Sequence, residues 1–179
     1  MTAFEQAVSF THFEETGGDP DGGYNDRPSD RGGPTKWGIS KRAHPEVDIP
    51  NLTREGALSI YRSKYWIPAR CELLPLAVAI AHFDCAFNSG EDTASIHLQR
   101  MVGAFPDGDI GPKTIAALQS YMGGRGVEYT VVQLIVARAR YLANLVDEPE
   151  KPRERQNLKN IEGWTVRLVR LTAYVMQIH

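Results

Sequence analysis

Residues 17–38 restrict the fold of this chain more than any other segment, because they contain seven glycines and three prolines. Glycine loses conformational entropy in a helix, and proline lacks the amide hydrogen that a helix needs. The preceding residues are helical in pattern, with Phe4, Val8 and Phe10 on an apolar face that must end by Gly17. The sequence therefore predicts a helix followed by an irregular insert that could hold a small β-hairpin.

The rest of the chain has helical periodicity. A stripe of Leu58, Tyr61 and Tyr65 predicts one helix, and the apolar segment from Pro75 to Gly90 predicts another that is buried on all sides. Further helices are predicted over residues 93–102, 112–121, 127–146 and 161–177. The predicted fold class is therefore mostly α, with one glycine-rich insert.

Composition and charge disfavour several classes of protein. With 20 Lys and Arg against 22 Asp and Glu, the net charge of −2 disfavours nucleic-acid binding through bulk positive charge. No apolar run reaches the ~18–20 residues of a membrane span, and the N-terminus lacks the pattern of a secretory signal peptide. Cys71 and Cys85 are predicted to be buried free thiols, with a disulfide between them as the alternative. We therefore expect synthesis in a reducing cytoplasm.

The sequence carries no metal or nucleotide signature. It lacks an HExxH, a CxxC and a Walker loop, and its five histidines are scattered, so no metal and no cofactor are predicted. Carboxylates are the remaining candidate functional groups, since seven acidic residues lie from Glu5 to Asp30. Their simplest interpretations are a solvated acidic loop, a calcium loop or ordinary turn chemistry.

Glu14 and Glu15 add a functional interpretation, because they end the first predicted helix. At helical spacing either carboxyl group reaches the edge of the apolar face, where desolvation and the negative helix C-terminus raise its pKa. A raised pKa suits a general acid near neutral pH. The insert supplies a second carboxylate, Asp30, and a hydroxyl group, Thr35, which completes the groups needed for glycosidic cleavage.

Four segments carry a family pattern. The longest is GGYNDRPSDRGGPTKWGIS at residues 22–40, and the others read YRSKYW at 61–66, FDCAFNSG at 83–90 and DGDIGPKT at 107–114. Together they resemble glycoside hydrolase family 108, the lysozyme-like N-acetylmuramidases of phage endolysins and of secretion-associated bacterial enzymes. The later segments resemble the peptidoglycan-binding part that accompanies this family.

This resemblance implies a lysozyme-like, mostly α fold with a glycine-rich loop or hairpin that lines a cleft. It implies a catalytic part at residues 1–70 and a helical, peptidoglycan-binding part at 71–179, packed as one globular unit. The implied reaction hydrolyses the β-1,4 bond between N-acetylmuramic acid and N-acetylglucosamine in the glycan strand and needs no cofactor. The expected oligomeric state is, by default, a monomer. Glu15 would protonate the leaving oxygen, while Asp30 and Thr35 would manage the water or the developing cation.

One departure from the family pattern concerns the acid. The family places glutamate directly before Gly-Gly-Tyr, whereas this sequence has Asp21 there, nine residues before Asp30. Glu15 instead keeps the helix register, and because a general acid must be held rigidly we favour Glu15. Two alternatives stay open: Asp21, which has a shorter side chain and a lower reference pKa, and Glu14.

Four residues are predicted to contact the substrate. Tyr24 and Trp37 could stack on a sugar face, although packing explains aromatic residues at a loop edge equally well. Asp84 and Asn88 are four residues apart on the predicted buried helix. Because buried polar groups need partners, these two side chains either line the cleft or hold the insert in place.

Other functions stay open on the sequence alone. A lytic transglycosylase uses a single acid and forms an anhydro product, and an inactive module would only bind the cell wall. The lack of a signal peptide favours an endolysin that is made in the host cytoplasm and reaches the periplasm through a holin; a secretion-associated muramidase is the alternative. An apolar face at residues 164–171 and a mild excess of bases nearby also suggest that the last helix disturbs membranes, although core packing explains the same apolar stripe.

Overall fold

The computed structural model describes residues 1–26, 32–146 and 152–178, so the candidate Asp30 lies outside the described residues. Within these ranges the chain is mostly helical with one small hairpin, as predicted. The elements are α1 (Ala3–Thr16), β1 (Thr35–Lys36), β2 (Ile39–Ser40), α2 (Arg54–Ile60), α3 (Leu76–Ser89), α4 (Glu91–Val102), α5 (Pro112–Gly123), α6 (Val127–Asn144) and α7 (Pro152–Val175). A π-helical turn (Tyr61–Trp66) continues α2, and a 3₁₀ turn (Cys71–Leu73) precedes α3.

Helix α1 begins and ends where its local sequence favours it. The Thr2 hydroxyl accepts the Glu5 amide hydrogen bond at 3.2 Å, and the Glu5 carboxylate accepts the Thr2 amide at 2.7 Å, which is a capping box. At the other end Gly17 takes the left-handed conformation, with φ of 63°, and its amide donates to the carbonyl of Phe13. This cap leaves Glu15 in the last helical turn.

The glycine-rich insert forms the predicted hairpin. Strands β1 and β2 are antiparallel with Thr35 opposite Ser40, and Asn25 pairs with Thr35 through two backbone hydrogen bonds of 2.8 Å. Trp37 and Gly38 form the two-residue turn, with φ of 56° and 68°. Positive φ at both central residues is what the hairpin turn of type I′ requires.

Trp37 attaches this hairpin to α1. Its indole N–H donates to the carbonyl of Leu52 at 3.1 Å, its ring stacks on His12 with centroids 5.0 Å apart, and its amide donates to the carbonyl of Gly22 at 2.6 Å. A Cβ atom at Gly22 would lie 2.3 Å from the indole, so glycine is required there. These contacts offset the ~1–2 kcal/mol that a left-handed backbone costs a residue other than glycine.

Helix α3 is the centre of the helical packing, as its apolar sequence predicts. Ten consecutive residues, 77–86, are buried, and α3 contacts α1, α4, α6 and α7. Pro75 precedes its first turn, and Gly90, with φ of 88°, follows its last residue. A polar side chain on α3 is therefore surrounded by other helices and must find its partners on them.

Three further predictions concern binding and redox chemistry. Cys71 and Cys85 are buried free thiols, as predicted, and burial raises the pKa of Cys85 to about 11. Among the residues that the structure describes, no group of three or more His, Cys, Asp or Glu side chains could hold a metal ion. No helix in the described ranges is both long enough and apolar enough to cross a bilayer.

Candidate active site

Glu15 lies against the hairpin turn. Gly38 packs on it so closely that a Cβ atom at Gly38 would lie 2.8 Å from Cγ and 2.9 Å from Cβ of Glu15. The Glu15 side chain as a whole is 22% exposed. Helix α1 therefore presents this carboxyl group at the edge of its apolar face, as the helical register predicts.

Gly38→Ala is expected to displace the Glu15 side chain, because the added methyl group would overlap its Cγ atom. We expect kcat/KM to fall by about tenfold to hundredfold, together with a loss of about 1–2 kcal/mol of unfolding free energy from alanine in a left-handed conformation. Gly103→Ala is the matched control, since its φ is 75° and nothing lies within 4 Å of the added Cβ. The control should lose stability alone, and equal activity in both variants would contradict this role for Gly38.

A buried ionic network connects Glu15 to three other helices. Arg167 in α7 donates from Nη1 to Glu15 Oε1 at 2.6 Å and from Nη2 to Asp84 Oδ1 at 2.6 Å. Asp84 in α3 is fully buried and also accepts hydrogen bonds from Arg138 in α6, at 2.6 Å, and from Thr11 in α1, at 3.0 Å. Helices α1, α3, α6 and α7 therefore meet at one set of charges.

Burial and ion pairing shift the pKa values of the two carboxyl groups in opposite directions. Burial alone would raise the pKa of Asp84, but Arg138 and Arg167 outweigh it and hold this pKa below its ordinary value. For Glu15, burial raises the pKa more than Arg167 lowers it, and the negative charges of Asp84 and Glu14 add to the rise. Glu15 therefore holds a proton at higher pH than an ordinary glutamate, whereas Asp84 stays ionised.

The two alternative acids have different surroundings. Glu14 pairs with Arg170 at 3.4 Å, an arginine that is largely exposed. Asp21 is exposed in the loop after α1, and its backbone amide donates to the side chain of Asp19 at 2.8 Å. Neither side chain has a described contact with the ionic network. Of the three candidates, Glu15 therefore has the surroundings that a general acid needs.

The four residues predicted to contact substrate differ in access. Tyr24 is 48% exposed, with its hydroxyl 3.5 Å from the Asp26 carboxylate, and Asn88 is exposed while donating to the backbone carbonyl of Asp84 at 2.8 Å. Trp37 is only 5% exposed, and Asp84 is fully buried in the ionic network. In this arrangement Tyr24 and Asn88 are accessible to a glycan, whereas Trp37 packs in the core and Asp84 holds helices together.

Thr35, the residue predicted to orient water, lies at the start of β1. Its hydroxyl donates to the carbonyl of Gly33 at 3.1 Å, and the residue is half-buried. The second predicted carboxylate, Asp30, lies outside the described residues. The partnership of Glu15 with Asp30 and Thr35 therefore stays a prediction.

Two arginines of the ionic network had no predicted role. Arg138 lies within an otherwise apolar helical stripe with Leu134, Ile135 and Leu142. A cation at such a position indicates a buried anion, because an unpaired buried charge is prohibitively costly. This pattern predicts a buried anion beside Arg138, but it does not show which residue carries the negative charge. Arg167 is 83 residues from Asp84 in the chain, so only the tertiary fold brings the two together.

A tyrosine and a histidine beside the site also had no predicted role. The Tyr65 hydroxyl hydrogen-bonds to Nε2 of His44 at 2.8 Å. Burial raises the pKa of Tyr65, and so do the negative charges of Glu91 and Glu15. Tyr65 therefore lies within electrostatic reach of the Glu15 carboxyl group and stays protonated near neutral pH.

Comparison with known families finds two matching segments. Residues 19–90 match the family model described as Glycosyl hydrolase 108. This segment is therefore similar to glycosyl hydrolase family 108. Residues 93–169 match the model described as Predicted Peptidoglycan domain, so both parts of the resemblance are confirmed. The glycosyl hydrolase 108 match contains Asp21 and Thr35 and begins after Glu15.

A solved structure agrees with the lysozyme-like fold. SagA from Brucella abortus matches with a TM-score of 0.75 and 29% sequence identity, over 97% of this chain and 93% of that chain. None of the curated proteins matches the sequence. The glycosyl hydrolase 108 match, the peptidoglycan match and this fold together support glycoside hydrolase activity on peptidoglycan.

Proposed function

We propose that this glycosyl hydrolase 108 protein is an N-acetylmuramidase that hydrolyses the β-1,4 bond between N-acetylmuramic acid and N-acetylglucosamine, with Glu15 as the general acid. The observation that carries the proposal is the Glu15 carboxyl group itself. Its side chain is 22% exposed, its pKa is raised by burial, and Arg167 lies 2.6 Å away to pair with the carboxylate. Cleavage of a glycosidic bond needs a carboxyl group with these properties.

Proton transfer would also relieve a charge imbalance in the network. With Glu15 protonated, the two cations Arg138 and Arg167 face one anion, Asp84, and the network carries +1; once Glu15 is ionised, two cations face two anions and the sum is zero. As the bond from C1 to the glycosidic oxygen breaks, the Glu15 proton would pass to that oxygen. The negative charge left on Glu15 would then be stabilised by groups already in place.

Water would complete the reaction on the other side of the sugar. Its oxygen would bond to C1 and its proton would pass to a base, for which Asp30 is the proposed residue. Thr35 would orient this water through its hydroxyl group. The products would be a new reducing end and a free hydroxyl group on the released strand.

The Arg167→Met variant should move the basic limb of the pH–rate profile. Because Arg167 lowers the pKa of Glu15 by its charge and hydrogen bond, its removal should raise this pKa. A general acid acts in its protonated form, so the fall of kcat/KM on the alkaline side should shift to higher pH. Arg170→Met on the same helix is the control, because Arg170 is exposed and pairs with Glu14.

Both arginine variants should be assayed well below their melting temperatures, since Arg167 also stabilises Asp84. A merely structural role for Arg167 would lower activity equally at every pH. A basic limb that stays at its wild-type position in Arg167→Met would therefore contradict the coupling to Glu15.

Mass spectrometry of digested sacculi tests the reaction type. The proposal expects muropeptides with an ordinary reducing muramic acid. Products lighter by one water at that sugar would identify a lytic transglycosylase instead. Zymograms without a cleared band, from a folded protein that still sediments with sacculi, would identify an inactive wall-binding module.

We further propose that the chain acts as an endolysin, made in the cytoplasm and released to the periplasm by a holin. When it is produced in a Gram-negative host, lysis should require a co-expressed pore-forming protein. Lysis without the pore would contradict holin dependence, and export through a secretion apparatus would support the secretion-associated alternative.

A further inference from the structure

A cavity lies in the C-terminal half of the chain. It has a volume of about 420 Å³ and is lined by residues of α4, α5 and α6. None of its described lining residues belongs to the ionic network of Glu15, Arg167, Asp84 and Arg138. This cavity is therefore a feature distinct from the candidate active site.

The cavity is electropositive. Arg100 and Arg140 line it, no acidic residue is among its described lining residues, and neither arginine has a hydrogen bond or ion pair within the described ranges. A third cation, Arg125, lies 4.5 Å from the ring centre of Tyr121, which is another lining residue. Both arginines are exposed, and two guanidinium groups beside one cavity that has no acidic residue in its described lining attract an external anion.

Flat and polar groups complete the lining. Tyr121 and Tyr141 provide aromatic surface, with the Tyr141 ring 4.8 Å from the ring of His97, and Gln133 and Asn144 provide amide groups. The Nε2 atom of His97 is buried without a hydrogen-bond partner in the described structure. Burial lowers the pKa of His97, and the charges of Arg100 and Arg138 lower it further. The imidazole is therefore neutral near neutral pH and adds no positive charge to the cavity.

The chemistry of peptidoglycan indicates which anionic group this cavity would bind. Where a stem peptide is attached, the lactyl carboxyl group of N-acetylmuramic acid is consumed as an amide, so the free carboxylates of intact peptidoglycan lie on the stem peptides, which also carry amide groups. Guanidinium groups bind carboxylates through paired hydrogen bonds, aromatic rings cover apolar parts of a peptide, and side-chain amides bond to peptide groups. We propose that this cavity binds the carboxylates of peptidoglycan stem peptides and so anchors the enzyme to the wall apart from its catalytic cleft.

This inference goes beyond the proposed function, because anchoring does not depend on Glu15. It also names candidate ligand-binding residues within the peptidoglycan segment at 93–169, which contains Arg100, Tyr121, Gln133 and Arg140. Loss of the anchor should weaken binding to intact sacculi. It should leave cleavage of soluble strands without peptides unchanged.

The test measures sedimentation of the full chain with insoluble sacculi at 4 °C and about 0.1 M salt, where surface charges are only partly screened. The double variant Arg100→Gln with Arg140→Gln is compared with Arg42→Gln with Arg54→Gln, which has the same net charge and changes two exposed cations elsewhere. Both are also assayed for release of reducing ends from soluble glycan strands stripped of peptides by an amidase.

We expect the cavity variant to bind intact sacculi at least about tenfold more weakly and the control to bind like the wild type, with activity on stripped strands within about twofold for both. The difference between the two variants should vanish on intact sacculi whose free carboxyl groups have been amidated with a carbodiimide and ammonia. Wild-type binding by the cavity variant, an equal loss in the control, or an undiminished difference on amidated sacculi would each overturn the proposal. Loss of activity on stripped strands would instead assign these arginines to the catalytic cleft.

Discussion

Glu15→Gln is expected to lower kcat on peptidoglycan by about 10²- to 10⁴-fold, the range that a general acid contributes. Glutamine keeps the shape of the side chain and an oxygen that can accept from Arg167, but it has no proton to give to the leaving oxygen. The rate of reducing-end release from purified sacculi measures the effect. Two matched variants test the alternatives, since Glu14→Gln changes the neighbouring acid and Asp21→Asn changes the acid at the family position.

The same variant should not lose stability. A carboxyl group whose pKa is raised in the folded state contributes stability below its unfolded pKa and loses it as pH rises through the folded pKa. Above its folded pKa the ionised Glu15 therefore does not favour folding, and at such a pH we expect Glu15→Gln to unfold at or above the wild-type temperature. A fall in activity that tracks a fall in stability would count against a chemical role. Inactivity of Asp21→Asn with full activity of Glu15→Gln would move the acid to the loop.

Asp84→Asn is expected to cost about 3–5 kcal/mol of unfolding free energy, the usual result of removing one partner from a buried ion pair. The substitution leaves the guanidinium groups of Arg138 and Arg167 buried with less negative charge, at the point where four helices meet. Urea unfolding at neutral pH measures the loss. Asp48→Asn is the control, because Asp48 is exposed and accepts a hydrogen bond only from the nearby Asn51. It should change stability by less than about 0.5 kcal/mol.

The pH dependence of this loss has a defined sign. The pKa of Asp84 is lowered in the folded state, so its stabilising effect is present above the unfolded value of 3.8 and is lost as pH falls through the folded pKa. The difference in unfolding free energy between the wild type and Asp84→Asn should therefore become smaller in acid. A gap that is small at neutral pH, or that widens in acid, would show that the network does not stabilise the fold in this way.

Local chemistry explains the parts of the fold that the sequence predicts. Thr2 and Gly17 bound the first helix by capping, and the continuous apolar run around residues 77–86 marks the central helix. The hairpin could be anticipated because a segment rich in glycine and proline excludes a helix. The position of Glu15 at the edge of the apolar face depends only on helical register, so it too could be predicted.

Contacts distant in the chain explain what the sequence does not reveal. Arg167 is 152 residues from Glu15, and no local pattern predicts that its guanidinium group bridges Glu15 and Asp84. Trp37 looks like an exposed aromatic residue at a loop edge, yet its left-handed backbone and its contact with Gly22 direct the ring into the core. Such outcomes depend on which surfaces the folded chain brings together.

The protonation of Glu15 is measured most directly by following the ¹³Cδ resonance of its carboxyl group by NMR as pH is varied. We expect the resonance to titrate above the ordinary glutamate value of 4.5, because burial raises this pKa, and to coincide with the alkaline limb of kcat/KM. A Glu15 carboxyl group that titrates like an exposed glutamate, or an alkaline limb unchanged in Glu15→Gln, would contradict its role as the proton donor.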